Sequence, residues 1–397
     1  RGPHRIHLAA QTESHTIEFE RKALLRAARA AYEVRTAERF GCRVAAENVE
    51  VDFPQVMQRM RALRAGISHH DSAQRFMNLG VDVYLGQARF TGRDAVEVCG
   101  RELKFSRCVI ATGGRAAKPE IPGLEAAGYL TNETVFSLTE LPRRLIVLGA
   151  GPIGCELAQA FRRFGSEVHL VNRSPQLLSK EEPEAACVVK RQFEEEGIEL
   201  HLGWETRRAE RSGEGIELTL EAGGETRRIS ADAVLVALGR TPNVEGLELE
   251  AAGVEANQRG VRVDDFLRTT NPRIYAAGDI AGSYQFTHAA DAMARASIRN
   301  ALFFGRQRLS RLVVPWCTYT DPEVAHVGLT PAEAAKQGIE ITSYREELGR
   351  VDRAVLDGET NGFAVLHCRK GTGKVVGATI VASHAGDMIA EVALLMQ

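Results

Sequence analysis

The sequence predicts an α/β protein of several domains, with a parallel sheet in its middle and an α+β region at its end. Three observations predict it. A chain of 397 residues exceeds what one ordinary hydrophobic core supports, so roughly two to four domains are expected. From Arg144 onward, apolar strand-like runs (145–148, 167–171) alternate with helix-like runs (153–164, 184–196), which is the rhythm of βαβ units in a parallel sheet. After Pro315 the pattern turns to hairpin-like strands around Tyr344, 362–368 and 375–381, followed by a helix that reaches Gln397.

Taken in order, residues 22–39 are rich in Ala and Arg and free of Gly and Pro within the helical stretch, so they read as a helix with no marked cap at its entry. Residues 56–79 read as a second long helix. Short runs at 81–85, 95–99 and 108–111, separated by glycine-containing turns, read as strands, and the stretch Lys118-Pro-Glu-Ile-Pro-Gly123 breaks the pattern. Further strands are expected at 217–221, 233–237 and 274–277.

Composition narrows the partners. Lys and Arg total 50 against 52 Asp and Glu, a net charge of −2, so there is no field to gather nucleic acid or an acidic membrane, and a small-molecule partner is expected. No apolar run approaches the roughly 20 residues that span a bilayer, and residues 1–11 carry no signal-peptide core, which reads as cytoplasmic. The seven cysteines, Cys42, Cys99, Cys108, Cys155, Cys187, Cys317 and Cys368, have no CxxC spacing. They are therefore expected to be mostly buried small hydrophobes, with no zinc knuckle, disulfide framework or other metal site.

The strongest motif is Leu145-Ile-Val-Leu-Gly149-Ala-Gly151-Pro-Ile-Gly154-Cys-Glu-Leu-Ala158, an apolar strand that enters a glycine turn and then an apolar-periodic helix. Gly149 permits the tight turn and Gly151 lets the backbone approach a pyrophosphate. Gly154 and Ala158 let helix and sheet pack closely, which leaves helix N–H groups aimed at the phosphates. The second strand of an NAD-binding unit ends in a carboxylate that grips the ribose 2′-hydroxyl, whereas this one ends in Asn172-Arg173. Neutral Asn172 removes repulsion of a 2′-phosphate and Arg173 supplies a cation for one, so NADPH is favoured slightly over NADH. Arg173 equally reads as a solvated turn residue.

Three further strands end in small residues: Ile110-Ala-Thr112-Gly113-Gly114-Arg115, Val236-Ala-Leu-Gly239-Arg240-Thr-Pro242-Asn243 and Ile274-Tyr-Ala-Ala-Gly278-Asp279. In this order, from about residue 22 to the end, they resemble the class I pyridine nucleotide-disulfide oxidoreductases. The stretches Phe286-Thr-His-Ala-Ala-Asp-Ala-Met-Ala-Arg295, Ile298-Arg-Asn-Ala-Leu302 and Pro315-Trp-Cys-Thr-Tyr-Thr-Asp-Pro-Glu-Val324 resemble the mercuric reductase branch most closely. The resemblance implies two Rossmann-like dinucleotide-binding domains, for FAD and NAD(P), plus an α+β interface domain that forms a homodimer. It places the FAD domain at 1–140 and 263–312, the NAD(P) domain at 141–262 and the interface domain at 313–397.

Carried over by position, the resemblance makes Asp279 a ligand of the flavin's ribityl chain and puts Gln285, Phe286, Thr287 and His288 beneath its ring system, with Thr112, Gly113 and Gly239 in the cofactor-binding turns. Gly149, Gly151, Gly154 and Glu156 then belong to the nicotinamide nucleotide site. Lys22 matches a lysine beside the flavin's reactive nitrogen, and Glu156 the carboxylate that pairs with it; the plainer alternative is that Lys22 is a helix-surface cation. A buried lysine there would stabilise negative charge developing on a flavin that accepts hydride, and the carboxylate would offset its desolvation.

The family's own first glycine turn and Cys-x4-Cys pair have no counterpart before Lys22. The two cysteine positions fall on Glu13 and Glu18, and residues 1–21 hold only Gly2-Pro3 and a scatter of His4, His7 and His15, which reads as an irregular leader. A carboxylate cannot shuttle between thiolate and disulfide. The resemblance thus implies a chain incomplete at both ends, with weak FAD retention. The expected acceptor is a disulfide or metal ion, with a nucleotide-binding remnant or a cysteine-independent flavin diaphorase as alternatives.

Overall fold

The computed structural model describes residues 6–10, 14–44, 49–213, 215–282, 284–303 and 305–397. Gly2, Pro3, His4 and Glu13 lie outside the described residues. The chain divides into two compact units: one gathers Arg1–Ile17, Ala62–Arg115 and Arg240–Leu312, the other Glu18–Arg61, Ala116–Gly239 and Val313–Gln397.

The second unit holds a five-stranded sheet in the order Glu199–Leu202, Glu167–Asn172, Arg144–Leu148, Ala233–Val236, Leu130–Thr131, with every neighbouring pair parallel. Its middle strand is a continuous apolar run because both faces are covered: Leu145, Ile146, Val147 and Leu148 are all buried. The helices Pro152–Phe164 and Pro183–Glu195 each begin with proline, where the missing N–H removes no helical hydrogen bond. A three-stranded antiparallel sheet, Glu205–Ser212, Gly215–Ala222 and Glu225–Ala231, contributes Leu218 and Leu220 to a core with Ile146, Leu148, Val171 and Val234. Burial alternates along its middle strand with the period of two expected of a sheet with one wet face.

The same unit ends in a five-stranded antiparallel sheet ordered Trp316–Thr318, Glu323–Gly328, Val375–Ala382, Phe363–Arg369, Ile341–Glu347. The helix Ala385–Leu395 packs Ile389 and Ala393 onto it. Phe53, at the start of the helix Phe53–Ile67, packs against Phe161 and Phe164 with ring centroids 5.9 and 5.7 Å away.

In the first unit, Cys108–Ile110 pairs in parallel with Ile274–Ala276, and Ala88–Gly92, Ala95–Val98 and Arg101–Lys104 form an antiparallel sheet. Ile110, Ile274, Ala276, Ile280 and Met293 share its core with Phe90 and Leu267.

Three expectations need correction. The leader is not wholly irregular, because Ile6–Ala10 forms a strand parallel to Val81–Leu85. The second long helix is three pieces, Phe53–Ile67, a 3-10 turn at Ser68–Asp71 and Ala73–Asn78; Ser72 starts the last by accepting a hydrogen bond from the Arg75 N–H, the ordinary action of a serine N-cap. Nor are most cysteines buried: all seven are free thiols, with Cys42, Cys99 and Cys187 exposed and only Cys155 and Cys368 fully buried. No helix among the described residues is long and apolar enough to cross a membrane.

Candidate functional site

The strand Arg144–Leu148 runs into Gly149, whose φ of +104° lies in the region that favours glycine. A Cβ there would stand 2.5 Å from the Ala237 carbonyl oxygen, so the turn closes directly on the neighbouring strand's end. At Gly154 a Cβ would collide with the Gly149 carbonyl, and the helix could not reach the sheet. Gly151 is different. A Cβ on it meets no atom within 4 Å, and its extended backbone (φ −77°, ψ −178°) suits any residue. Two glycines of the motif are fixed by the protein's own packing, and the third borders open space at the start of Pro152–Phe164.

The second strand ends as the sequence requires, but its two polar residues part company. Asn172 turns inward: its Oδ1 accepts from the Ala150 N–H at 3.3 Å, and its Nδ2 donates to the carbonyls of Ser174 and Gln176 at 3.1 and 3.2 Å. It therefore ties the glycine turn to the loop that follows the second strand. Arg173 is exposed and has no hydrogen-bond or ion-pair partner among the described residues.

Glu156, one turn into the helix, is completely buried. Its Oε1 accepts from the Tyr319 N–H at 2.8 Å, and Arg21 Nη1 approaches Oε2 at 2.8 Å without hydrogen-bond alignment. Burial raises the Glu156 pKa, and the charge on Arg21 works against that rise. The expected Lys22–Glu156 ion pair is thus replaced by Arg21–Glu156. Lys22 Nζ pairs with Glu18 Oε1 at 3.0 Å and lies 4.7 Å from the centroid of the Tyr319 ring. Residues 18 and 22 are a turn apart on the helix Ser14–Arg35, so they meet on one face, and the guanidinium is the cation better suited to a buried carboxylate. Partial burial lowers the Lys22 pKa, but the Glu18 hydrogen bond and charge outweigh it and leave the pKa raised. Gly239, at φ +115°, ends this unit's run after Ala233–Val236, where its carbonyl accepts from the Ala117 N–H.

In the first unit, Thr112 and Gly113 lie in the turn after Cys108–Ile110. Thr112 Oγ1 donates to the Asn243 carbonyl at 2.9 Å, Asn243 Nδ2 donates back to the Thr112 carbonyl at 2.9 Å, and the Asn243 N–H donates to Gly113. Arg115 grips Glu245 with two nitrogens, holding that carboxylate down at about 2. Asp279, half-buried after Gly278, is ion-paired with Arg240 Nε at 2.9 Å. Gln285 and Phe286 lead into the helix Thr287–Leu302, and the Phe286 and His288 rings stack at 5.6 Å.

The sequence reading missed Arg21, Tyr319 and Arg240 as partners. Arg21 had a usable signal, since a glutamate inside an apolar helix face needs a cation and two stand side by side at 21 and 22.

The pyridine nucleotide-disulphide oxidoreductase family model matches residues 16–294, and the dimerisation domain of the same family matches 314–397. Mercuric reductase from Bacillus cereus is 36% identical over 369 residues, which cover 93% of this chain and 58% of that protein. Mercuric reductase from Streptomyces lividans is 36% identical over 374 residues, covering 93% and 78%. Among solved structures, the HOCl-induced flavoprotein disulfide reductase RclA from Escherichia coli superposes with a TM-score of 0.84 at 25% identity, covering 99% of this chain and 87% of that one. The chain spans 58% of the length of the Bacillus relative. On both the sequence match and the glycine-turn geometry, this chain belongs to the pyridine nucleotide-disulphide oxidoreductase family.

Proposed function

We propose that the chain is part of an FAD-dependent NAD(P)H oxidoreductase whose acceptor is a disulfide or a metal ion, as the names of its mercuric reductase and disulfide reductase relatives suggest. The observation that carries this reading is the empty space at Gly151. Gly149 and Gly154 are forced by contacts inside the protein, whereas a Cβ on Gly151 would meet nothing within 4 Å, so the side of the turn where a pyrophosphate would approach the backbone is unobstructed there. The domain plan that goes with it keeps 1–140 and 263–312 for the flavin, 141–262 for the nucleotide and 313–397 for pairing.

The residues present fit both groups. The backbone from Gly149 to Gly154 would hold the nucleotide, and Arg173, exposed and without a partner among the described residues, favours a 2′-phosphate, hence NADPH. Asp279, after the strand that pairs with Cys108–Ile110 and next to Gly114, fits the polar chain of a flavin, with Gln285, Phe286, Thr287 and His288 presented before and at the start of a helix. FAD, when bound, supplies a two-electron acceptor for hydride. On the resemblance, Lys22 would be the cation that stabilises negative charge; within the second unit it pairs with Glu18, and Arg21 with Glu156 ties down the same helix.

A second reading, a flavin diaphorase that uses no cysteines, is favoured by one observation: no two of the seven cysteines are five apart, and Glu18 stands where the resemblance puts the second of a pair. The match of 314–397 to a dimerisation domain supports a homodimer. A monomer by light scattering at micromolar concentration removes that part.

Stopped-flow mixing of the FAD-reconstituted chain with NADPH under anaerobic conditions tests the proposal. Loss of flavin visible absorbance is expected. Bound flavin that stays oxidised would leave a nucleotide-binding protein without turnover. Oxidation of NADPH driven by mercuric ion or by a quinone then distinguishes the two acceptor readings.

A further inference from the structure

The parallel sheet of the second unit carries a cluster that the nucleotide reading does not use. His169, on the strand Glu167–Asn172, pairs across the ladder with Glu199 of the edge strand Glu199–Leu202, and Val171 pairs with His201. Residues 199 and 201 fall on one face of the edge strand, so both histidines and the carboxylate converge there. His169 and His201 are 8% and 3% exposed, while Glu199 reaches solvent.

Two of the three distances are close to those of a coordination polyhedron. His169 Nδ1 lies 3.2 Å from His201 Nε2 and 3.2 Å from Glu199 Oε2, and the last edge, His201 Nε2 to Glu199 Oε2, is 3.8 Å. A tetrahedral ion with bonds of about 2.0–2.1 Å sets its ligand atoms roughly 3.3–3.4 Å apart, so two edges are already within about 0.2 Å of that length. A small turn of the exposed carboxylate closes the third. A single proton on Nδ1 of His169 serves only one of its two neighbours, whereas a cation between the three atoms serves all of them. Glu167 Oε1, 3.4 Å from His169 Nε2, is placed to accept that nitrogen's proton and leave the Nδ1 lone pair facing the cluster, as carboxylates behind metal-ligating histidines do.

We propose that His169 Nδ1, His201 Nε2 and the Glu199 carboxylate form a site for a divalent transition metal ion of the zinc type, which clamps the edge strand of the nucleotide-binding sheet to its neighbour and leaves a fourth position open to solvent. Two nitrogens and one oxygen suit zinc, whereas an all-oxygen set would suit magnesium or calcium. One neighbour opposes the ion. Arg227 Nη1 lies 3.4 Å from His201 Nδ1, the nitrogen that carries the proton once Nε2 binds metal. Arg227 is exposed, so it has room to turn away into solvent, giving up its stacking over the Trp204 ring at 4.8 Å.

The test titrates the full chain, its exposed cysteines alkylated, with zinc chloride and separately with cobalt(II) chloride. One ion per chain is expected, with visible cobalt bands of tetrahedral type and a raised melting temperature. Glu199→Gln and His201→Gln each weaken zinc binding by at least about tenfold, and Glu167→Gln by about tenfold. Arg227→Ala strengthens it, which a merely structural arginine would not do. Glu199 is exposed, so its glutamine variant keeps the fold and the comparison stands even where His201→Gln unfolds. No binding at millimolar zinc, or binding unchanged in Glu199→Gln, overturns the proposal.

Discussion

The glycine turn at 149–154 and the ion pairs around Glu156 belong to the same helix and its surroundings, yet they obey different physics. The turn is defined by excluded volume: Gly149 and Gly154 are the residue type that the neighbouring carbonyls leave room for. Around Glu156 the choice lies between two adjacent cations, and a buried carboxylate took Arg21 while Lys22 stayed half-exposed with Glu18. Steric exclusion admits one answer per position and so can be read from the order of residues. Partner choice depends on which side chain reaches, and that is known only once the helix is placed.

The largest expected effect probes the first half of that comparison. Gly154→Val should cost about 3–5 kcal/mol or prevent folding, because the obstruction is backbone that cannot retreat. Gly151→Val should change the melting temperature hardly at all, and equal loss in both variants would break the distinction between the two glycines.

Next comes the second half. Arg21→Met leaves Glu156 buried without its counter-ion and should cost about 3–5 kcal/mol. The Glu156 pKa is already raised in the fold, so the native state favours its protonated form and stability falls as pH rises through that pKa. Removing Arg21 deepens this, and the variant should be weaker at pH 8 than at pH 5 relative to the parent. Urea melts at the two pH values measure it.

Two other buried carboxylates follow the same rule. Burial pushes both Glu181 and Glu323 up to about 7 from an ordinary 4.5. Their contribution to stability is complete below the unfolded value and is lost as pH rises to about 7. Glu181→Gln still accepts the hydrogen bond from Trp316 Nε1, now 2.7 Å from Glu181 Oε1, and should be about 1–3 kcal/mol more stable than the parent at pH 8 with little change at pH 4. The smallest effect belongs to Lys22→Met. With the lysine side chain 44% exposed, its pair with Glu18 should contribute less than about 1 kcal/mol to stability, so a loss of flavin reduction in this variant would report chemistry and not folding.

Much of the fold was legible in the residues. The apolar run 145–148 was read as a strand, the helices at 153–164 and 184–196 were read to within a residue or so of their ends, and the alternation from Arg144 onward gave the parallel sheet. The strands Glu205–Ser212 and Glu225–Ala231 went unread because Arg and Glu dominate their outer faces and hide the period. The strand Ile6–Ala10 was lost between Pro3 and the scattered histidines, although Ile6-His-Leu8 alternates as an edge strand should. At the site, the glycines were legible and Asn172 was half so: its neutrality was seen, but its use in tying down Ala150 depends on the loop at 174–176, which no local pattern announces. The cluster of His169, Glu199 and His201 was invisible for a plainer reason, since about thirty residues separate its two strands and only the ladder register brings them together.

The central claim is that the open side of the 149–154 turn holds a pyridine nucleotide, and the most direct measurement is the dissociation constant of NADPH for the parent chain and for Gly151→Val, alongside their melting temperatures. Micromolar binding by the parent, preference for NADPH over NADH, and a loss of at least about tenfold in a variant that melts unchanged are predicted. Equal affinity in the two proteins, or no binding by a folded parent, would contradict it.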